Sequence, residues 1–458
     1  MNSIHWSLTL IFALTSLSMQ SQSTISIINS NDGGSGSLRQ AVLDALPGDT
    51  IRFSSAINGD TISLTTGQIM LDDDIVIIGN QPNNTIIDGS NLNRIFLVPS
   101  STTIKIYNLA LTGGNAFEGG AISNRGNLVL TDCIVANNNA SNSGGGIYNI
   151  DGYLNLYNTI VSQNSTSSRG GGIVNVAGEV VLNNSSISEN SSISGGALHN
   201  SAQGNVTMIN TFMLGNSAED GGGIFNLFGS ELHLINSTLS GNSASEVGGG
   251  IINVVAFAEY KNTTISGNSA SERGGGVANI SGTDSYTNSI VALNVASDGV
   301  DIFTSGNTTD GGHNLIGNGS DQSALIDGVN GNIVGTSGLP IDPIFITDVD
   351  ITTLPNTSGN LGLQCTSPGI NAGTPDTTGL NLEGIDILGN PRVINNTIDI
   401  GAFEQDCPEA ILAESIPTLG EWALIFLTLV LLIIGTVKMR YSNYRTRILF
   451  PNSELDNS

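Results

Sequence analysis

Apolar residues in the middle of the chain return in phase rather than in runs. Ile122, Ile147, Ile173, Leu198, Ile224, Ile251 and Val277 each stand two positions before an Asn, and these Asn residues recur at steps of 25 to 27. A second apolar column runs through Leu130, Leu156, Leu182, Met208, Leu234, Tyr260 and Tyr286, and a third through Val135, Val161, Ile187, Met213, Leu239, Ile265 and Val291. After each member of the first column comes a variable residue (Ser123, Tyr148, Val174, His199, Phe225, Ile252, Ala278), the alternation of a strand with one buried face. Every repeat thus holds three short strands divided by Gly- and Asn-rich turns, such as Gly119-Gly120 and Gly144-Gly145-Gly146. Helical solenoids need two helices of about 10 residues per unit, which recurrent Gly-Gly forbids. The pattern predicts the coils of a parallel β-helix, stacked about 4.8 Å apart. Each apolar column then becomes a buried stripe, stabilising by roughly 1.5–3 kcal/mol per side chain before entropy is subtracted.

The polar positions keep stricter time. Asn138, Asn164, Asn190, Asn216, Asn242, Asn268 and Asn294 are each 26 residues apart, and six positions before them stand Asp132, Asn158, Asn184, Asn210, Asn236, Asn262 and Asn288. A buried amide in a turn bonds the backbone and its counterparts in the coils above and below. The first series is therefore read as a structural Asn ladder and not as a ligand-binding array.

Outside the repeat, residues 1–23 read as a signal peptide, apolar over 8–17 and then polar. Residues 416–437 form a second apolar segment of 22 residues, with Trp422 near its start and Lys438 and Arg440 after it as a positive-inside stop. The expected organisation is a signal peptide (1–23), an N-terminal cap with irregular coils (24–115), regular repeats (116–299) and a C-terminal module (300–407). A linker (408–415), a sorting and transmembrane segment (416–440) and a cytoplasmic tail (441–458) follow.

Composition narrows the partners. Of 458 residues 58 are Gly and only 11% are charged, yet 39% are hydrophobic, too many for a disordered chain. The net charge is −26, and residues 24–415 hold 9 basic against 36 acidic side chains. Such a body disfavours nucleic acid, whose binding rests on Lys and Arg neutralising phosphates. It also disfavours polyanions unless Ca²⁺ bridges the two, and no motif supports Ca²⁺ or any other cofactor.

Several segments resemble known families. Ile416-Pro417-Thr418-Leu419-Gly420-Glu421-Trp422, followed by an apolar stretch and basic residues, resembles the IPTL-type C-terminal sorting signal of bacterial surface proteins. That resemblance implies Ile416, Pro417, Thr418, Leu419, Glu421 and Trp422 as a sorting motif read by an exosortase-like enzyme. The 18 residues after Arg440 depart from the family, whose tails stop soon after the basic cluster. Gly36-Ser37-Leu38-Arg39-Gln40-Ala41, then Gly48-Asp49-Thr50-Ile51, resembles the N-terminal cap of bacterial surface β-helix proteins. Cys365-Thr366-Ser367-Pro368-Gly369, Asp386, Gly389-Asn390-Pro391-Arg392 and Ile398-Asp399-Ile400-Gly401-Ala402-Phe403-Glu404 resemble the choice-of-anchor Q region. Together these imply an all-β, right-handed parallel β-helix, pectate-lyase-like, with an N-terminal cap and a C-terminal transmembrane helix. They also imply export to the cell envelope or surface, held by a single-pass C-terminal membrane anchor or released after processing. Cys365 and Cys407 flank the module and are the expected disulfide, given the preference for pairing outside the cytoplasm. Cys133 lies inside a regular coil and is expected to be a buried small apolar residue.

β-Helices also host pectate lyases and polygalacturonases. A lyase needs Arg or Lys among carboxylates on adjacent coils, but Arg125, Arg169 and Arg273 are separated by whole coils or differ in phase. A hydrolase needs two carboxylates about 5–9.5 Å apart; Asp72-Asp73-Asp74, the densest acidic run, reads as a solvated turn. His199, His233 and His313 lie in separate units without metal-type spacing. No catalytic, cofactor or metal residues are assigned. The expectation is an exported, surface-anchored and non-enzymatic protein with a structural, adhesive or matrix role. Its partners would be the membrane, a sorting enzyme, and glycans or a neighbouring cell surface. The alternative is a polysaccharide lyase or glycoside hydrolase, which would show Asp/Glu and Arg/Lys converging on neighbouring coils.

Overall fold

A computed structural model describes residues 22–346, 361–374, 384–394 and 396–407. Three long parallel sheets form the walls of a β-solenoid. Sheet A has 12 strands from Thr24–Ile27 to Asn307–Asp310, sheet B has 12 from Thr61–Ser63 to Ile333–Val334, and sheet C has 10 from Ile69–Met70 to Ile302–Thr304. Strands follow one another within each sheet in chain order, so each coil pairs only with the coils before and after it. The register superposes the repeats: Leu130, Leu156, Leu182, Met208, Leu234, Tyr260 and Tyr286 are successive partners along sheet A. All seven are wholly buried, as are the inward columns of sheets B and C.

Between sheets A and B the chain turns through one residue in the left-handed region. Asp132, Asn158, Asn184, Asn210, Asn236, Asn262 and Asn288 have φ between 47° and 53°. Asn and Asp tolerate that conformation best among residues with a side chain, which accounts for this column.

Sheet C departs from simple alternation. Its outward residues Val174, His199, Ile252 and Ala278 are buried like their inward neighbours, because the Gly-rich turns fold back over them. A Cβ on Gly248, at φ +71°, would stand 2.7 Å from Ile252 Cβ, and one on Gly274, at φ +63°, would stand 2.6 Å from Ala278 Cβ. Here glycine serves close approach as well as turning.

Helix Leu38–Asp44 closes the N-terminal end. Ser37 Oγ caps it by accepting from Gln40 N at 3.2 Å, and Leu38, Ala41 and Val42 pack into the core. The choice-of-anchor-like segments lie against the outer face of sheet B. Ala402 N donates to Thr264 Oγ1 at 3.0 Å, Asn288 Nδ2 to the Asp399 carbonyl at 2.9 Å, and Asn236 Nδ2 to the Ile385 carbonyl at 3.3 Å. Inside this module the wholly buried Arg392 donates through Nη2 to the Asp399 carbonyl at 3.0 Å, and burial pushes the Glu404 carboxyl up to about 8. These motif residues fasten the module internally.

One expectation needs correction. No helix among the described residues is long and apolar enough to cross a membrane. The transmembrane helix, the single-pass anchor and the membrane as partner therefore have no support in the structure. The segment that prompted them, 416–440, lies outside the described residues, as do the sorting-motif residues and nearly all of the signal peptide.

Candidate functional site

The repeat brings two charged strands together on the outer face of sheet A. Register sets Glu231 beside Phe257, His233 beside Glu259 and Ile235 beside Lys261. Their alternates Leu232, Leu234, Ala258 and Tyr260 fill the core, which turns Glu231, His233, Phe257, Glu259 and Lys261 outward. His233 Nδ1 stands 3.1 Å from Glu259 Oε2, and its Nε2 stands 3.6 Å from Glu231 Oε2. Lys261 Nζ donates to Glu259 Oε1 at 2.9 Å. The Phe257 ring lies 5.7 Å from the imidazole at 56°.

Partial burial pushes the Glu259 carboxyl up, but the bonds from Lys261 and His233 outweigh it and hold the group below the usual carboxylate range. Glu259 is thus a fixed anion that orients the imidazole. Glu231 is 59% exposed and borders an open depression of about 360 Å³, lined also by Phe257, Thr283 and the turns at Gly229 and Gly282. Two carboxylates, an imidazole and an ammonium therefore converge across two coils. Sequence reasoning missed them by treating His233 unit by unit. The signal was present, since residues 233 and 259 are one 26-residue step apart and so face each other.

The other candidates hold structural posts. Asp74 Oδ1 accepts from Thr103 N at 2.7 Å, and the Arg273 guanidinium lies over the Phe303 ring at 5.3 Å. His313 Nδ1 is 2.9 Å from the Ala372 carbonyl. His199 stacks on Phe225 at 5.2 Å, neither ring nitrogen has a hydrogen-bond partner, and burial lowers its pKa to about 4. A larger groove of about 790 Å³ crosses the outer face of sheet B, but Ile134 and Ile160 line it without an acid–base pair. Among the described residues no group of three His, Cys, Asp or Glu could hold a metal ion.

The Asn columns form two buried amide chains. In the first, each Asn from Asn138 to Asn268 donates from backbone N and from Nδ2 to Oδ1 of the Asn one coil on, at 2.9–3.0 Å. Asn294 makes the same two bonds to Asp301 Oδ1. The second chain runs Asn124, Asn149, Asn175, Asn200, Asn226 and Asn253 at 2.7–2.9 Å, and ends on Asp284 Oδ1 at 2.7 Å. Each row ends on an aspartate, whose side-chain oxygen is the last acceptor.

Asp284 also accepts from Tyr286 OH at 3.0 Å, and burial raises its pKa to about 7 against the effect of its two hydrogen bonds. A carboxyl raised in the folded state keeps its proton where the unfolded chain has lost it. Its contribution to stability is therefore full below the ordinary carboxylate range, falls as pH rises, and levels off above about 7. Asp284→Asn is expected to melt higher than the native protein at pH 8, by on the order of 3 kcal/mol, and to converge with it toward pH 4. Equal melting curves at both pH values would contradict this account.

Cys133 is a free buried thiol whose pKa burial raises to about 11, and it fills the station that Thr159 and Ser185 hold in the next two coils. Cys365 and Cys407 are each disulfide-bonded. Non-reducing peptide mapping is expected to return them in one linked peptide, and a linkage through Cys133 would contradict it.

A family model described as the IPTL-CTERM motif matches residues 414–440. No curated protein matches the chain. Among solved structures, one titled "Crystal structure of pectate lyase Pel9A" is similar at 15% identity and a TM-score of 0.50, over 84% of this chain and 98% of that one. Another, titled "Structure of PL6 family alginate lyase AlyGC", shares 13% identity at a TM-score of 0.31, over 72% of this chain and 55% of that one. The expectation of a non-enzymatic protein does not stand. A structure of the same fold is titled a pectate lyase, so the fold does not set this chain apart from enzymes. The chain is a parallel β-solenoid of pectate-lyase-like fold that carries an IPTL-CTERM sorting motif, as an exported, surface-associated protein does.

Proposed function

We propose that this exported solenoid hydrolyses a polysaccharide at the Glu231–His233–Glu259–Lys261 cluster. The observation that carries the reading is the imidazole held between two carboxylates beside an open depression. The same fold in a protein titled a pectate lyase supports a glycan as the substrate class.

The residues suggest a proton path. Histidine is the side chain that gives and takes protons near neutral pH, and Glu259 fixes the ring. His233 gives its proton to the leaving oxygen as the glycosidic C–O bond breaks. A water on the opposite face of the sugar bonds to the anomeric carbon and releases its proton to solvent, from which the imidazole is reprotonated. Glu231, 3.6 Å from Nε2, orients the ring from its other side. Elimination from a uronate would suit this site less well, because Glu259 already occupies Lys261 and two carboxylates would repel the acidic sugar.

The test is release of new reducing ends from a panel of neutral, amino and acidic polysaccharides by the full-length protein, with and without Ca²⁺. Cleavage that His233→Ala abolishes and Glu231→Gln weakens is expected. No cleavage by the native protein, or undiminished cleavage by His233→Ala, would overturn the proposal.

A further inference from the structure

One outward column of sheet A passes through the candidate site and continues beyond it. Register aligns Tyr153 with Glu179, Glu179 with Asn205, Asn205 with Glu231 and Glu231 with Phe257, one residue per coil. Coils are about 4.8 Å apart, close to the length of one sugar ring, so the column is a row of evenly spaced side chains along the axis. Tyr153 is 57% exposed at one end, and Phe257 borders the depression at the other. Aromatic rings of this kind offer flat apolar faces with a wet surround, and Glu179, Asn205 and Glu231 lie between them.

The charges select among glycans. On the outward positions of the five strands from Tyr153–Tyr157 to Phe257–Lys261, the formally charged residues are Glu179, Glu231, Glu259 and Lys261. Lys261 is bound to Glu259, and among the described residues neither Glu179 nor Glu231 pairs with a Lys or Arg. A net charge of −26 adds a field that draws cations in and repels uronates.

We infer that the column Tyr153–Glu179–Asn205–Glu231–Phe257 is a binding track for a glycan bearing free amino groups. The inference deepens the proposed hydrolysis by naming its substrate class, but it concerns binding and is tested as binding. Each exposed ammonium–carboxylate contact is weak by itself, so affinity accumulates along the polymer and weakens with salt.

The experiment is calorimetric titration of full-length protein carrying His233→Ala, so that cleavage does not intervene. The probes are a glucosamine hexamer, its fully N-acetylated counterpart and an oligogalacturonate of equal length. The glucosamine hexamer is expected to bind at least about tenfold tighter than the N-acetylated one. Adding Glu179→Gln, an exposed change outside the proton path, should weaken only the amino oligomer, by about fivefold. Equal binding of the two hexamers, preference for the oligogalacturonate, no binding of the amino oligomer, or indifference to Glu179→Gln would overturn the inference. Cleavage is scored separately on the native protein. An amino oligomer that binds by these criteria but is not cut would leave the track standing and remove the proposed hydrolysis.

Discussion

Asn216→Ala is expected to destabilise the solenoid by on the order of 3–6 kcal/mol. Asn216 stands in the middle of the first amide chain and is wholly buried. Its Oδ1 accepts from both the backbone N and Nδ2 of Asn190, while its Nδ2 serves Asn242 Oδ1 and the Ile187 carbonyl. Alanine leaves Asn190 N and one hydrogen of its Nδ2 buried without partners and takes a donor from the Ile187 carbonyl, at about 1–3 kcal/mol each. The loss should exceed that sum's lower bound, because each amide in the row polarises the next. Urea unfolding of the exported protein, followed by circular dichroism, reads the change. Since coils contact only their neighbours, the variant should also broaden the transition, as the stack separates into two blocks. A loss below about 1 kcal/mol with an unchanged slope would show that the amide chain is ornamental to the fold.

His233→Ala is expected to lower the turnover of a cleaved glycan by about 10²–10⁴-fold, the usual contribution of a positioned acid–base group. Glu259→Gln should act through His233 as a positioning change. It keeps the shape of the side chain but removes the carboxylate that fixes the ring at 3.1 Å, so turnover should fall by less than in His233→Ala. KM should move less than turnover in either variant, because the Glu231 and Phe257 side chains that line the depression are retained. Equal losses in KM and turnover across all pH values would point to a distorted surface instead of a lost proton path.

Much of this architecture was legible before the structure. The 26-residue step identified the three inward columns because burial in a stacked coil falls on the same residue every turn, and Leu130 through Tyr286 kept that phase. The Asn columns keep the same step, but the ends of their amide rows were not legible in it. Asp284 and Asp301 break the Asn pattern, and only the coordinates show that each is the last acceptor of a chain. Sheet C misled the alternation argument, since its outward face is covered by its own Gly-rich turns. The candidate site was hidden for a different reason. Its residues lie one repeat apart, so Glu231, His233, Glu259 and Lys261 look like isolated charges along the chain and become neighbours only when the coils stack.

Hydrolysis at sheet A is tested most directly by digestion in ¹⁸O-labelled water with mass spectrometry of the products. The native protein should give fragments with one labelled oxygen at each new reducing end, and His233→Ala should give none. Unsaturated fragments without label, which elimination would produce, or no fragments from any glycan offered, would contradict the account.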